Sequence, residues 1–123
     1  QDVKSVGPQA AQQFRDLSAQ AKSFVASYVP GTELATLKNC DEAFRLWQLD
    51  RSPRFTEQQV VELLGSFLGE KLVDGFDMEW VIVSDQYGVD YAVRSKTAAV
   101  MSFPFSSVAK RIDRGEHGFI VGV

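Results

Sequence analysis

The stretch "EWVIVSDQYGVDYAVRS", residues 79–95, decides the fold: it runs apolar, then acidic with a glycine, then apolar again. Trp80 to Ser84 and Tyr91 to Ser95 are strand-length runs rich in β-branched and aromatic residues, and the short polar link between them predicts antiparallel neighbours. Asp85 suits the first position of a type I turn and Gly88 the left-handed position after it, which together predict a four-residue hairpin loop with a bulge. A second reading makes Asp85 and Asp90 a carboxylate pair. Nothing in the sequence sets a nucleophile, base or metal partner beside them, and Asp and Gly are ordinary turn formers, so the turn is the expectation.

Before this hairpin the apolar period is that of a helix. In residues 8–28, Phe14, Leu17, Ala21, Phe24 and Tyr28 recur at three and four, with Pro8 in a first-turn position, and "VPGTE" (29–33) breaks the pattern. A second helix, starting at about Leu34 or Asp41 and ending at Leu49, carries Ala43, Phe44, Leu46 and Trp47 as its apolar stripe. Thr56 to Gln59 reads as a capping box for a third helix over about 57–73, with Val60, Val61, Leu64, Leu68 and Leu72 turned inward. Gly65 and Gly69 lie inside it, each costing about 1 kcal/mol relative to Ala. Close approach of another backbone, or of a bulky ring such as Trp80, is expected to offset that cost.

After the hairpin, Ala99 to Phe103 reads as a third strand stopped by Pro104, which cannot donate to a ladder. A last helix over about 105–114 turns Phe105, Val108, Ala109 and Ile112 inward and ends at Gly115. "FIVGV" (119–123) reads as a fourth strand. The expected architecture is α+β: one domain over residues 1–123, N-terminal helices first, then a mostly antiparallel sheet with one further helix near the C-terminus.

Composition bounds the function classes. A chain of 123 residues with 45% hydrophobic and 24% charged residues is an ordinary globular domain. The net charge of -3 and a pI near 5.1 argue against nucleic acid as a partner, since that affinity comes from clustered Lys and Arg. No apolar run approaches membrane-spanning length, so a soluble protein is expected. Gln1 in place of Met fits either removal of a secretory signal or the boundary of an excised piece, which leaves the compartment open.

Candidate chemistry is sparse. Asp74, Asp77 and Glu79 lack the alternating ligand spacing of a calcium loop. His117 is the single histidine, which rules out zinc sites built from several histidines, and Cys40 is the single cysteine, which rules out an internal disulfide. A Cys40 and His117 dyad is formally available, but Cys40 lies beside an apolar helix and reads as a small packed hydrophobe. No catalytic residue, metal ligand or cofactor site is assigned.

Charge is segregated along the chain. Glu70 to Asp90 carries six acids and one base, Lys71, whereas Arg94 to Arg114 carries five bases and one acid, Asp113. Lys110, Arg111 and Arg114 fall near the end of the last helix, where cations also complement the helix dipole. Read functionally, these three form an exposed docking face for an acidic protein partner.

The order "LGSFLGEKLV", "EWVIVSDQYGVDYAVRS" and "SFPFSSVAKRIDRGE" resembles domain of unknown function 3806, a bacterial family, over roughly residues 34–117. That resemblance implies a bacterial origin, with the cytoplasm and the periplasm both open, and one compact α+β domain; it carries no activity. Together with the missing catalytic signature it leads to the expectation of a non-enzymatic protein-binding module, with a bacterial immunity protein that neutralises a toxin as the most specific form. The alternative is a small-molecule or peptide-binding domain with hydrolytic activity, using a cleft between the N-terminal helices and the sheet lined by Trp47, Phe55 and Tyr87.

Overall fold

A computed structural model describes residues 2–30 and 36–115. The chain order is β1 (Asp2–Ser5), α1 (Pro8–Tyr28), α2 (Leu37–Leu49), α3 (Glu57–Phe76), β2 (Met78–Asp85), β3 (Gly88–Ser95), β4 (Met101–Ser102) and α4 (Pro104–Arg114). The strands form one antiparallel sheet in the order β1-β2-β3-β4. The α+β class read from the sequence is the class observed.

The helix starts follow from local chemistry. Pro8 opens α1 and Pro104 opens α4, each in the first turn, where a missing N–H costs nothing. Thr56 caps α3 through the expected reciprocal box: the Gln59 N–H donates to Thr56 Oγ1 at 3.1 Å and the Thr56 N–H to Gln59 Oε1 at 2.8 Å. The start of α2 falls between the two positions suggested by the sequence. Thr36 is its N-cap, accepting from the Asn39 N–H at 3.1 Å, so α2 begins at Leu37.

α3 runs past the expected stop at residue 73, through Gly75 to Phe76. Its end is set by Asp77 in the left-handed conformation (φ 52°), an Asp being one of the few non-glycine residues that tolerate it. α4 ends as expected at left-handed Gly115 (φ 65°), whose N–H donates to the Arg111 and Ile112 carbonyls.

Two strands differ from the sequence reading. β1 was not expected, because "DVKS" carries little strand character; the ladder to β2, with Asp2 opposite Ser84 and Ser5 opposite Val81, makes it a strand. β4 is only Met101–Ser102 rather than 99–103, paired with Arg94 and Val93. Ser95 Oγ accepts from the N–H groups of Thr97 and Ala98 and holds the link in a bend, while Pro104 stops the ladder on the other side. The strand expected at 119–123 lies outside the described residues.

α3 is the central element. Its buried residues Val60, Leu63, Leu64, Phe67 and Leu68 pack with Ala21, Phe24 and Val25 of α1, Phe44 and Trp47 of α2, and Val108 of α4. A second cluster joins Phe14 of α1 to Met78, Trp80 and Val93 of the sheet, with Leu72 and Phe105 against it. On the opposite face of the sheet, Val81, Val83 and Ala92 form a third, small cluster with Val3, Met101 and Phe103.

The two interior glycines are explained by rings. A Cβ at Gly69 would overlap the six-membered ring of Trp80, and one at Gly65 would overlap the Phe105 ring. The Trp80 indole is fixed further by its Nε1–H donating to Glu70 Oε2 at 2.8 Å and by Phe14, whose ring centroid is 4.2 Å away. Gly69→Ala is therefore expected to cost about 1–3 kcal/mol from overpacking, although Ala alone favours a helix by about 1 kcal/mol. Ser66 of the same helix is buried, and its Oγ finds no hydrogen-bond partner among the described residues. Ser66→Ala is expected to leave stability unchanged or raise it, because it removes an unsatisfied hydroxyl. Urea unfolding midpoints of the two variants decide, and a Gly69→Ala midpoint at or above that of the parent would show that Trp80 is not seated on α3.

Candidate protein-binding surface

The hairpin from residue 78 to 95 answers the question its acidic middle raised. Asp85 pairs with Gly88, so the connection is two residues, Gln86 and Tyr87, rather than a four-residue loop. Asp85 Oδ1 accepts from the Tyr87 N–H at 2.8 Å, and Gly88 takes the positive φ of 132° that the turn needs. Asp90 sits opposite Val83 on β3, and its Oδ2 accepts from Ser106 Oγ at 2.6 Å, which ties β3 to the first turn of α4. That is a favourable place for a carboxylate, beside the positive end of a helix. Each acid thus accepts a hydrogen bond that fixes the local structure, and both line one cleft of about 350 Å³ beside the first turn of α4.

Towards its tip the hairpin is exposed. Tyr87 is 89% exposed, Val89 71% and Tyr91 38%. Tyr91 keeps one side of its ring against Phe14, at 5.0 Å between centroids, and faces Phe105 at 6.3 Å. Two clefts flank this strand. One, of about 270 Å³, is lined by Phe14 and Leu17 of α1, Val61 and Glu62 of α3, Tyr91 and Phe105. The other, of about 350 Å³, is lined by Asp85, Tyr87, Val89 and Asp90 together with Phe103 and Ser106.

The three basic residues singled out from the sequence lie near the end of α4. Lys110 and Arg114 are exposed. Arg111 is half-buried with its Nε enclosed, so the expectation of three exposed cations is corrected to two. The reason is position: Arg111 neighbours Ile112, which packs against the main core.

The remaining candidates are dispersed. Asp77 and Glu79 form ion pairs with Lys96 (3.5 Å) and Arg94 (3.1 Å), and Asp74 lines a mixed-charge groove between α1 and α3. Among the described residues no group of three or more His, Cys, Asp or Glu is placed to hold a metal ion. Trp47 and Phe55 line one cleft of about 320 Å³, where Trp47 donates from Nε1 to the Phe55 carbonyl at 2.9 Å, but Tyr87 stands apart at the hairpin tip. The cleft between the N-terminal helices and the sheet exists, but Phe14, Tyr91 and Phe105 line it. Sequence reading missed these three because each also follows a core periodicity.

Cys40 is fully buried in α2, and burial pushes its thiol up to about 12, so it is a packed hydrophobe rather than a nucleophile. His117, the other half of the formal dyad, lies outside the described residues. No helix among the described residues is long and apolar enough to cross a membrane.

The geometry is that of a small α+β domain. Residues 48–123, more than half of the chain, match the family described as Domain of unknown function (DUF3806), and the chain belongs to that family. The matched span begins in the last turn of α2, later than residue 34, and continues past residue 117. β1, α1 and most of α2 therefore lie outside it, although α1 supplies Phe14, Ala21 and Phe24 to the shared cores. No curated protein and no solved structure matches the chain significantly.

The state of Cys40 sets a pH dependence. A thiol raised from 9.0 to about 12 stays protonated in the fold while the unfolded chain ionises, so its contribution is fully present below pH 9 and is lost as pH rises towards 12. Tyr28 acts in the same direction from pH 10 upward: burial first, then its hydrogen bond to Asp50, raise it to about 12. Urea midpoints followed from pH 8 to 10 are expected to fall less steeply in Cys40→Ala than in the parent. Parallel slopes would place the thiol in contact with water.

Proposed function

We propose that this chain is a non-enzymatic protein-binding module. The observation that carries the reading is the distal half of the hairpin, where Tyr87, Val89 and Tyr91 expose large apolar side chains within five residues of one another. Clustered exposed apolar surface, tyrosine above all, is characteristic of protein interfaces, where a few aromatic anchors supply most of the affinity. Lys110 and Arg114 supply charge for steering. α4 is only about 16 Å long at 1.5 Å per residue, so hairpin and basic end both fit within a standard interface of about 800 Å² per partner. The most specific form of the proposal is an immunity protein that neutralises a toxin in a bacterial cell. Its support is the joining of an apolar anchor to segregated charge on a rigid frame.

A second reading, binding of a small molecule or peptide with or without hydrolysis, is favoured by the aromatic cleft between α1, α3 and Tyr91. At about 270 Å³ that cleft is close to the lower end of the roughly 300–1,000 Å³ of drug-sized ligand pockets, so its size suits a small ligand as well as a single side chain of a protein partner.

Capture from a lysate of the source organism separates these surfaces when three baits run in parallel. The parent is expected to retain a defined protein; Tyr87→Ser with Val89→Ser is expected to lose it at least tenfold. Lys110→Glu with Arg114→Glu is expected to slow association and change its salt dependence, because steering is screened over about 8 Å at physiological ionic strength. A parent bait that retains no protein, or one whose catch is indifferent to both double variants, would contradict the proposal.

A further inference from the structure

The chemistry at the edge of β3 goes further than exposed tyrosines. We propose, resting on the binding-module reading, that the aromatic cleft seats one apolar side chain from an extended segment of a partner protein, and that Lys or Arg residues flank that side chain.

Cleft size and lining supply the anchor. Its walls are Phe14, Leu17, Val61, Tyr91 and Phe105, with Gln13 and Gln58 beside them, a mainly apolar surround of about 270 Å³ that suits a single side chain. Charge supplies the flanks. Glu62 lies on the rim of this cleft, and Asp85 and Asp90 line the cleft on the other side of β3; no Lys or Arg lines either one. Asp85 accepts its turn hydrogen bond through Oδ1 and Asp90 accepts Ser106 through Oδ2, which leaves the second oxygen of each carboxylate for a cationic side chain.

Backbone geometry supplies the third part. β4 pairs only with Val93 and Arg94, so from Gly88 to Ala92 the outer edge of β3 has no strand neighbour among the described residues. The first turn of α4 lies beside this edge, with Phe105 facing one cleft and Ser106 the other. An extended chain laid along Gly88 and Val89 can meet both clefts, since alternate side chains point to opposite faces. Charge argues against a second copy of this chain as the occupant. Antiparallel pairing of two β3 edges would bring the Asp85 and Asp90 carboxylates of both copies together.

A phage-displayed library of random 12-residue peptides, panned on the full chain at low salt, tests the proposal. The enriched peptides are expected to share an apolar residue with Lys or Arg within three positions. A synthetic peptide of the enriched sequence is expected to bind the parent and to weaken at least tenfold with Glu62→Lys combined with Val89→Ser. Glu62 is half-buried at a cleft rim and Val89 is exposed, so this variant is expected to unfold at the temperature of the parent. Tyr91→Phe is expected to stay within twofold of the parent and Tyr91→Ala to lose binding. No enrichment, enrichment of acidic or uncharged peptides, binding indifferent to Glu62→Lys with Val89→Ser, or concentration-dependent self-association in place of peptide binding would each overturn it. The lysate capture separates this failure from that of the broader reading. If a captured partner survives these substitutions but is lost with Lys110→Glu and Arg114→Glu, the cleft proposal falls and the binding module stands. If neither peptide nor lysate protein is retained, both fall.

Discussion

The Trp80 indole occupies the space that a side chain at position 69 would need, and the rest of the fold is arranged around that contact. With no Cβ in the way, α3 lies directly on β2. Phe14 brings α1 to one side of the ring at 4.2 Å, and Phe105 brings α4 to another at 5.7 Å. The magnitudes favour this arrangement. A glycine inside a helix costs about 1 kcal/mol, whereas burying one large apolar side chain contributes about 1.5–3 kcal/mol and each aromatic pair about 0.5–1.5 kcal/mol more. Glu70, the next residue along α3, accepts the indole N–H, so the buried ring leaves no polar atom unsatisfied.

Anchoring the hairpin at its base has a consequence at its tip. Met78, Trp80 and Val93 are held in the core, so β2 and β3 leave the helical layer as a fixed ribbon, and Val89 and Tyr91 emerge from the same two-residue alternation that buries Val93. The bond from Ser106 to Asp90 ties the ribbon to α4 a second time. An interface built on such a frame loses little backbone entropy on binding, which is one condition under which a small apolar anchor gives useful affinity.

Much of this was legible in the sequence because local signals and global packing agree. The Thr56 box, Pro8, Pro104, Gly115 and the hairpin were readable from chemistry within a few residues, and the cost of Gly65 and Gly69 pointed to a close approach, which the structure resolves as Phe105 at the first and Trp80 at the second. β1 was not legible. A polar four-residue segment becomes a strand only because β2, more than seventy residues later in the chain, offers it an edge. The aromatic cleft was missed for a similar reason: Phe14, Tyr91 and Phe105 each satisfy an inward-facing pattern, and only their assembly from three elements shows that they leave a gap. Arg111 was misread because helical spacing alone does not reveal how far the core reaches around α4.

The account rests on the stretch of β3 that has no strand neighbour among the described residues being the place where a partner docks. Amide hydrogen exchange of the chain, free and in complex with a captured partner, tests this most directly. Added protection is expected at Gly88 to Tyr91 and in the first turn of α4, with little change at the Trp80 base, where burial is expected to make exchange slow in the free chain as well. Protection confined to the groove between α1 and α3, or to the α2 end of the molecule, with the hairpin tip unchanged, would contradict it.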